Sequence, residues 1–223
     1  MNDVPTPPAT SREEHVPSRD EVVLRATAEV LQREFDGIFD QAMVESFLLA
    51  SYDTFVSRRT RSAPLPALAE RFARERLWAL AKAEGASSDD RPVVLFLCTH
   101  NAGRSQMAMG FFQAMAQGRA IAWSGGSEPG SEVNPVAVEA MAEVGIDITG
   151  EFPKPWTDEV VRAADVVVTM GCGDACPVFP GKRYEDWSLA DPHGQGRDHV
   201  RAIRDEVRGR IVGLLAELGV PAG

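Results

Sequence analysis

Residues 94–112 read VLFLCTHNAGRSQMAMGFF, and the texture of the chain changes twice within them. The run 93–97 is short, wholly apolar and rich in β-formers, as in a parallel strand covered on both faces. From residue 106 to 117 the pattern turns helical. Between the two lie Cys98, five residues, then Arg104 and Ser105. A loop joining a strand to a helix can point successive backbone N–H groups into one hollow. That hollow suits a tetrahedral anion, and the helix dipole adds positive potential. Gly103 supplies backbone freedom for the turn. Arg104 supplies a planar fork of donors matched to two oxygens of an oxyanion, where a lysine would be a point charge. Cys98 stands in the same field, which favours the thiolate, its nucleophilic form, and Ser105 can donate a hydrogen bond to the sulfur. A free cysteine ending a strand is also commonly a small core residue. The C-x5-R spacing, set after a buried strand and before a helix, with Asn101, Gly103 and Ser105 inside it, favours chemistry.

Working outward from this loop, further strands are expected at 120–123, Val166–Met170 and 182–187. Helices are expected at 135–144, Asp158–Ala163 and 198–218, the last with Val200, Ile203, Val207, Ile211, Leu214 and Leu218 as its buried stripe. Strands alternating with helices imply βαβ units and a parallel sheet. The fold class is therefore α/β, a four-stranded parallel sheet flanked by helices. Such sheets bind ligands beyond the carboxyl ends of their strands. Cys98, the segment of Cys172 and Cys176, and Asp191 all follow strands and converge on that edge.

Toward the N-terminus the pattern is purely helical. Ser18 and Glu21 form a capping-box pair before an apolar series, with Val22, Val23, Ala26, Val30 and Leu31 at helical spacing and Gly37 interrupting it. A second helix is expected over 40–56, with Ala42, Met43, Phe47 and Leu48 on one side. Pro64 and Pro66 open a third, buried through Leu68, Phe72, Leu77, Leu80 and Ala81 and ended by Gly85. A small all-α three-helix bundle over 18–86 follows, with Met43, Trp78 and the phenylalanines as core. A polar linker, 87–91, leads to the α/β domain, 92–223, and 1–17 reads as a disordered leader.

The chain has 223 residues and a formal charge of -10, which makes it a poor partner for nucleic acid. Arg58, Arg59 and Arg61 form a local basic patch, best read as a solvated loop. No apolar run approaches the ~20 residues of a membrane span, and residues 1–17 lack a signal-peptide core. Three cysteines in a chain with a sizeable apolar fraction suggest thiols kept for chemistry in a reducing cytosol.

The segments CTHNAGRSQMA (98–108), VNPVAVEAMAEVGIDI (133–148), VVVTMGC (166–172) and EDWSLADP (185–192) together resemble the thioredoxin-coupled arsenate reductases. These share the fold of the low-molecular-weight protein tyrosine phosphatases. The resemblance covers residue 92 to the C-terminus, and some actinobacterial-type relatives carry a similar three-helix extension. It implies that Cys98 is the nucleophile and that Thr99, His100, Asn101, Ala102, Gly103, Arg104 and Ser105 hold the oxyanion. Asp191, in its Asp-Pro pair, would be the general acid, and Cys172 and Cys176 the relay thiols. Arsenate would be the substrate, phosphate or sulfate its competitors, and thioredoxin or a low-molecular-weight thiol the external reductant, with no tightly bound cofactor.

Two departures stand out. Only Gly173, Asp174 and Ala175 separate the relay cysteines, fewer than is usual. One helical turn still brings residues four apart to about 6 Å, within disulfide range. Some relatives bind potassium near the loop. Asn101, Ser124 and Asp147 match positions of that site, but Met109 replaces the usual carboxylate, and no bound cation is predicted. Cys172 and Cys176 can also be read as buried thiols, or with His193 and His199 as a zinc set whose spacing is longer than usual. Asp191 can be read as a solvated turn residue. A phosphotyrosine phosphatase is the competing enzyme reading, and a binding or signalling module using the bundle is the non-enzymatic one.

Overall fold

The computed structural model describes residues 18–58, 60, 63–171 and 178–223. The leader, Arg59, Arg61, Cys172 and Cys176 lie outside the described residues. The elements run α1 (Arg19–Glu34), α2 (Gln41–Arg58), α3 (Leu65–Ala83), β1 (Val93–Cys98), α4 (Arg104–Ala116), β2 (Ile121–Gly126), α5 (Pro135–Ala142), α6 (Asp158–Ala163), β3 (Val166–Met170), β4 (Arg183–Asp186) and α7 (Arg197–Glu217).

The sheet has four strands in the order β2-β1-β3-β4, all pairs parallel. Every residue of β1 is buried, because its two faces serve two cores. Val94, Phe96 and Cys98 face α4, α5 and α7. Val93, Leu95 and Leu97 face α6 and Ala79 of α3. The two-residue period of a strand thus puts Cys98 on the α4–α7 side. β2 extends past the expected 120–123 through Ser124, Gly125 and Gly126, with Gly125 opposite Leu97 and Gly126 opposite Cys98. The glycines are required there. A Cβ on Gly125 would stand 2.9 Å from the Trp156 backbone nitrogen, and one on Gly126 2.7 Å from the Thr99 carbonyl.

The capping box forms as expected: Glu21 N–H donates to Ser18 Oγ at 3.2 Å, and Ser18 N–H to the Glu21 carboxylate. The faces of the first two helices differ from expectation. α1 buries Leu24, Thr27 and Leu31, while Val22, Val23, Ala26 and Val30 are exposed. Tyr52 Oη donates to Asp20 at 2.7 Å and helps fix this rotation. α2 buries Val44, Leu48, Ser51 and Phe55, leaving Ala42 and Met43 exposed. In each helix apolar residues lie on more than one side, so periodicity alone could not choose between stripes. Trp78 is 38% exposed rather than core, because its indole N–H reaches out to Glu34 at 3.0 Å while its ring packs on Phe35.

The three helices do not stand apart from the sheet. Phe55 meets Phe72 and Phe152 edge-on at 5.7 and 5.5 Å, and Arg76 of α3 pairs with Glu159 of α6. The expected linker is pinned: Lys82 donates to the Asp89 and Arg91 carbonyls, and Arg91 to Asp89 and the Gly118 carbonyl. On the far side, Glu143 at the end of α5 accepts two hydrogen bonds from Arg201 of α7, at 2.6 and 2.8 Å, and a third from Arg204.

These arginines, Arg201 foremost, hold the Glu143 carboxyl down to about 2. Because the folded value lies below the ordinary one, the contribution is present above pH 4.5 and is lost as pH falls from there to about 2. Urea midpoints measured through that window are expected to fall less steeply for Glu143→Gln than for the unaltered chain. Parallel slopes would show that the clasp contributes nothing to acid sensitivity.

Candidate active site

The loop between β1 and α4 is organised by where its carbonyls go. The Thr99, His100 and Ala102 carbonyls accept from the Glu128, Gly130 and Asn134 N–H groups at 2.8, 2.9 and 2.8 Å. The Asn101 carbonyl accepts from Gln106 Nε2 at 3.0 Å. All four carbonyls are thus satisfied by surrounding protein. The N–H groups of His100, Asn101, Ala102 and Gly103 meet no backbone acceptor among the described residues. A buried N–H without a partner is costly, so this loop is built to receive an acceptor from outside.

Asn101 is the keystone of the loop. It adopts φ 46, a left-handed conformation that asparagine tolerates better than most residues. Its Oδ1 accepts from Lys154 N–H at 2.9 Å and Gln106 Nε2 at 3.3 Å. Its Nδ2 donates to Ser105 Oγ at 2.9 Å, and Ser105 Oγ lies 3.0 Å from Cys98 Sγ. With one lone pair of the hydroxyl taken by Asn101, its proton is free to point at the sulfur.

Arg104 opens α4 and is buried, its side chain 7% exposed. Its Nη2 donates to Asp191 at 2.9 Å. Asp191 is 47% exposed, and its other oxygen accepts from His193 N–H at 2.9 Å. The Asp-Pro turn lies directly on the loop: a Cβ on Gly103 would stand 2.5 Å from Pro192 Cγ, and Asn134 Nδ2 donates to the Pro192 carbonyl. Cys98, Arg104, Asn134, Asp191 and Pro192 line one hollow of about 30 Å³, with His100 and His193 at its wall and their rings 6.2 Å apart. The structure therefore brings together Cys98, the loop, Arg104 and Asp191. Cys172 and Cys176 fall outside the described residues, although Gly171, just before them, touches the site: its carbonyl accepts from Thr99 Oγ1 at 3.0 Å.

The residues matched to the potassium position differ in their surroundings. Asp147 is exposed, and its carboxylate accepts from Thr149 N–H and Oγ1 at 2.8 and 2.7 Å, bonds that lower its pKa. Asn101 and Ser124 are buried. Asn101 Oδ1 is already committed to Lys154 and Gln106, and Met109 offers no oxygen. Asp147 caps a surface turn. Residues that sequence reasoning missed are Gln106, Asn134 and Lys154. Asn134 had a readable signal, since Asn before Pro is a common helix start, and it caps α5 by accepting from Val136 N–H.

A cysteine at a strand end, inside an amide-lined loop closed by arginine, with an Asp-Pro turn above it, is the arrangement of a cysteine-dependent oxyanion enzyme. Residues 93–221 match the low molecular weight phosphotyrosine protein phosphatase family, and residues 24–81 match the protein-tyrosine-phosphatase-like N-terminal domain. The chain belongs to the low molecular weight phosphotyrosine protein phosphatase family and, within it, to the arsenate reductases. It is 41% identical to the solved thioredoxin-dependent arsenate reductase of Corynebacterium glutamicum, with a TM-score of 0.79 over 89% of this chain and 97% of that one. It is 38% identical to the glutaredoxin arsenate reductase of Synechocystis over 56% of this chain and 97% of that protein. A tyrosine phosphatase of Erwinia amylovora, 18% identical with a TM-score of 0.52 over 59% of this chain and 95% of that one, shares the fold.

Gly171 tests the closure of the hollow. It adopts φ 74, and a Cβ there would stand 2.6 Å from Arg104 Nη1. Gly171→Ala is expected to displace the guanidinium and strain the backbone by about 1–3 kcal/mol. Calorimetry should then show phosphate affinity reduced about tenfold or more. Unchanged affinity would mean that Arg104 is not held against this turn.

Proposed function

We propose that this chain is a thiol-dependent arsenate reductase that uses Cys98 as its nucleophile and Cys172 and Cys176 as relay thiols. The observation that carries the reading is the loop at Cys98, whose carbonyls are spent outward, leaving amides and the Arg104 fork for an oxyanion. The hollow is narrow because Asp191 sits on Arg104. An entering arsenate offers Arg104 two oxygens and the amides several acceptors, and so displaces the single carboxylate oxygen. Asp191, half-exposed and held at its backbone by the Pro192 turn, can swing aside without unfolding anything.

The chemistry then runs in three steps. Cys98 thiolate attacks the arsenic of monoanionic arsenate, and Asp191 relays a proton from one arsenate hydroxyl to the departing one, which leaves as water. Cys172 thiolate attacks the Cys98 sulfur; the arsenic takes the electron pair of the broken S–As bond and leaves as arsenite, and a Cys98–Cys172 disulfide remains. Cys176 attacks Cys172, freeing Cys98 and forming a Cys172–Cys176 disulfide. An external dithiol reduces this by exchange, so each arsenate consumes two electrons from one dithiol. Thioredoxin is the favoured donor, since the Corynebacterium glutamicum relative is thioredoxin-dependent. In this reading the bundle, 18–86, and the α/β unit, 92–223, work as one enzyme, phosphate and sulfate compete for the hollow, and the chain acts in the cytoplasm.

The hollow holds phosphate as readily as arsenate, so aryl phosphate hydrolysis is the competing activity, and the relay thiols separate the two. Cys172→Ser is expected to retain whatever aryl phosphatase activity the unaltered chain shows and to lose multiple-turnover arsenate reduction with thioredoxin and its reductase. Cys98→Ser is expected to lose both. Arsenate turnover by Cys172→Ser at the parental steady-state rate would end the relay reading.

A further inference from the structure

A line of contacts leads from the helical bundle to the catalytic loop. Glu75 of α3 pairs with Lys154 Nζ at 3.1 Å, the side chains being 15% and 3% exposed. The ammonium also lies 5.0 Å from the centre of the Phe152 ring, which the bundle covers through Phe55. It is almost wholly buried and depends on Glu75 for its counter-charge. The other charges facing this pair are Arg71 and Glu151, themselves 3.5 Å apart. Burial pushes the Glu75 carboxyl up while Lys154 pulls it back down.

The main chain around Lys154 forms the outer wall of the loop. Lys154 N–H donates to Asn101 Oδ1, its carbonyl accepts from Gly126 N–H at 3.0 Å, and the Phe152 carbonyl accepts from Gln106 Nε2 at 3.2 Å. Asn101 in turn orients Ser105, which faces the Cys98 sulfur. We propose that Glu75 is a positioning residue of the active site: by pairing the buried Lys154 ammonium it holds residues 152–154 in the place that Asn101 requires, which makes the bundle part of the working enzyme. This rests on the oxyanion reading of the loop. The adjacent pair on the same helix, Arg76 with Glu159, is nearly as buried, at 16% and 12% exposed. It lands on α6, which covers the sheet face opposite Cys98, and so provides a control.

In Glu75→Gln the ammonium loses its partner and is expected to draw residues 152–154 toward solvent. On the full chain, calorimetry should show the Kd for inorganic phosphate raised about tenfold. KM for arsenate should rise with it, while kcat stays within about threefold. Glu75→Asp, which keeps the charge at shorter reach, should fall between. Glu159→Gln should lower Tm and leave phosphate Kd parental. A Glu75→Gln protein that loses Tm but keeps the phosphate Kd and KM of Glu159→Gln overturns the proposal. Should Glu75→Gln fail to fold, a parental phosphate Kd in Glu75→Asp overturns it equally. Phosphate affinity is read without turnover, so absence of arsenate reduction by the unaltered chain would end the proposed function and leave this test standing.

Discussion

The constraint on which the site depends is the need to satisfy loop carbonyls away from the pocket. A tight loop has as many acceptors as donors, and an anion hole needs the donors alone. The protein meets this by surrounding residues 99–102 with external donors: backbone amides from 128, 130 and 134, and the buried Gln106 amide. The backbone donors come from segments fixed by the close of β2 or the start of α5, and Gln106 from the first turn of α4. The hollow is therefore rigid before any ligand arrives, which is the condition for electrostatic stabilisation without reorganisation during reaction.

That requirement explains residues far from the sulfur. Gly125 and Gly126 let the loop and the 154–156 segment approach β2 closely. Asn134 serves two ends at once, capping α5 through Oδ1 and steadying the Pro192 turn through Nδ2. α4 is buried almost all round its first turns because it must lie between the sheet and α7 while presenting Arg104 at its N-terminus. A helix buried on all sides has no polar stripe, and its sequence accordingly reads as small and apolar from Met107 to Phe112.

The α/β part was legible because its elements are signalled by contrast. The apolar runs of β1 and β3 mark buried strands, and the loop between β1 and α4 carries its chemistry in local order. Asp191 could be placed because sheet topology delivers strand ends to one edge. The bundle was legible only as helices. α1 carries Val22, Val23 and Val30 as well as Leu24 and Leu31, and which stripe is buried depends on packing against α2 and α3 that no window of sequence contains. Lys154 was invisible for a related reason. A lysine beside two prolines reads as a surface turn, and its burial is decided by Glu75, 79 residues earlier in the chain, and by the phenylalanines around it.

The site carries an ion pair at its centre, Arg104 with Asp191. A buried arginine without a partner would be costly, and an oxyanion enzyme must tolerate the interval between substrates. Asp191 supplies a counter-charge for that interval from an exposed position, so its own desolvation is small and the pair is weak enough to exchange. A buried acid would hold Arg104 too firmly and would have nowhere to go when the anion entered. The asymmetry of exposure, 7% for Arg104 against 47% for Asp191, is thus what lets one carboxylate partner the guanidinium and still leave room for an anion to take its place.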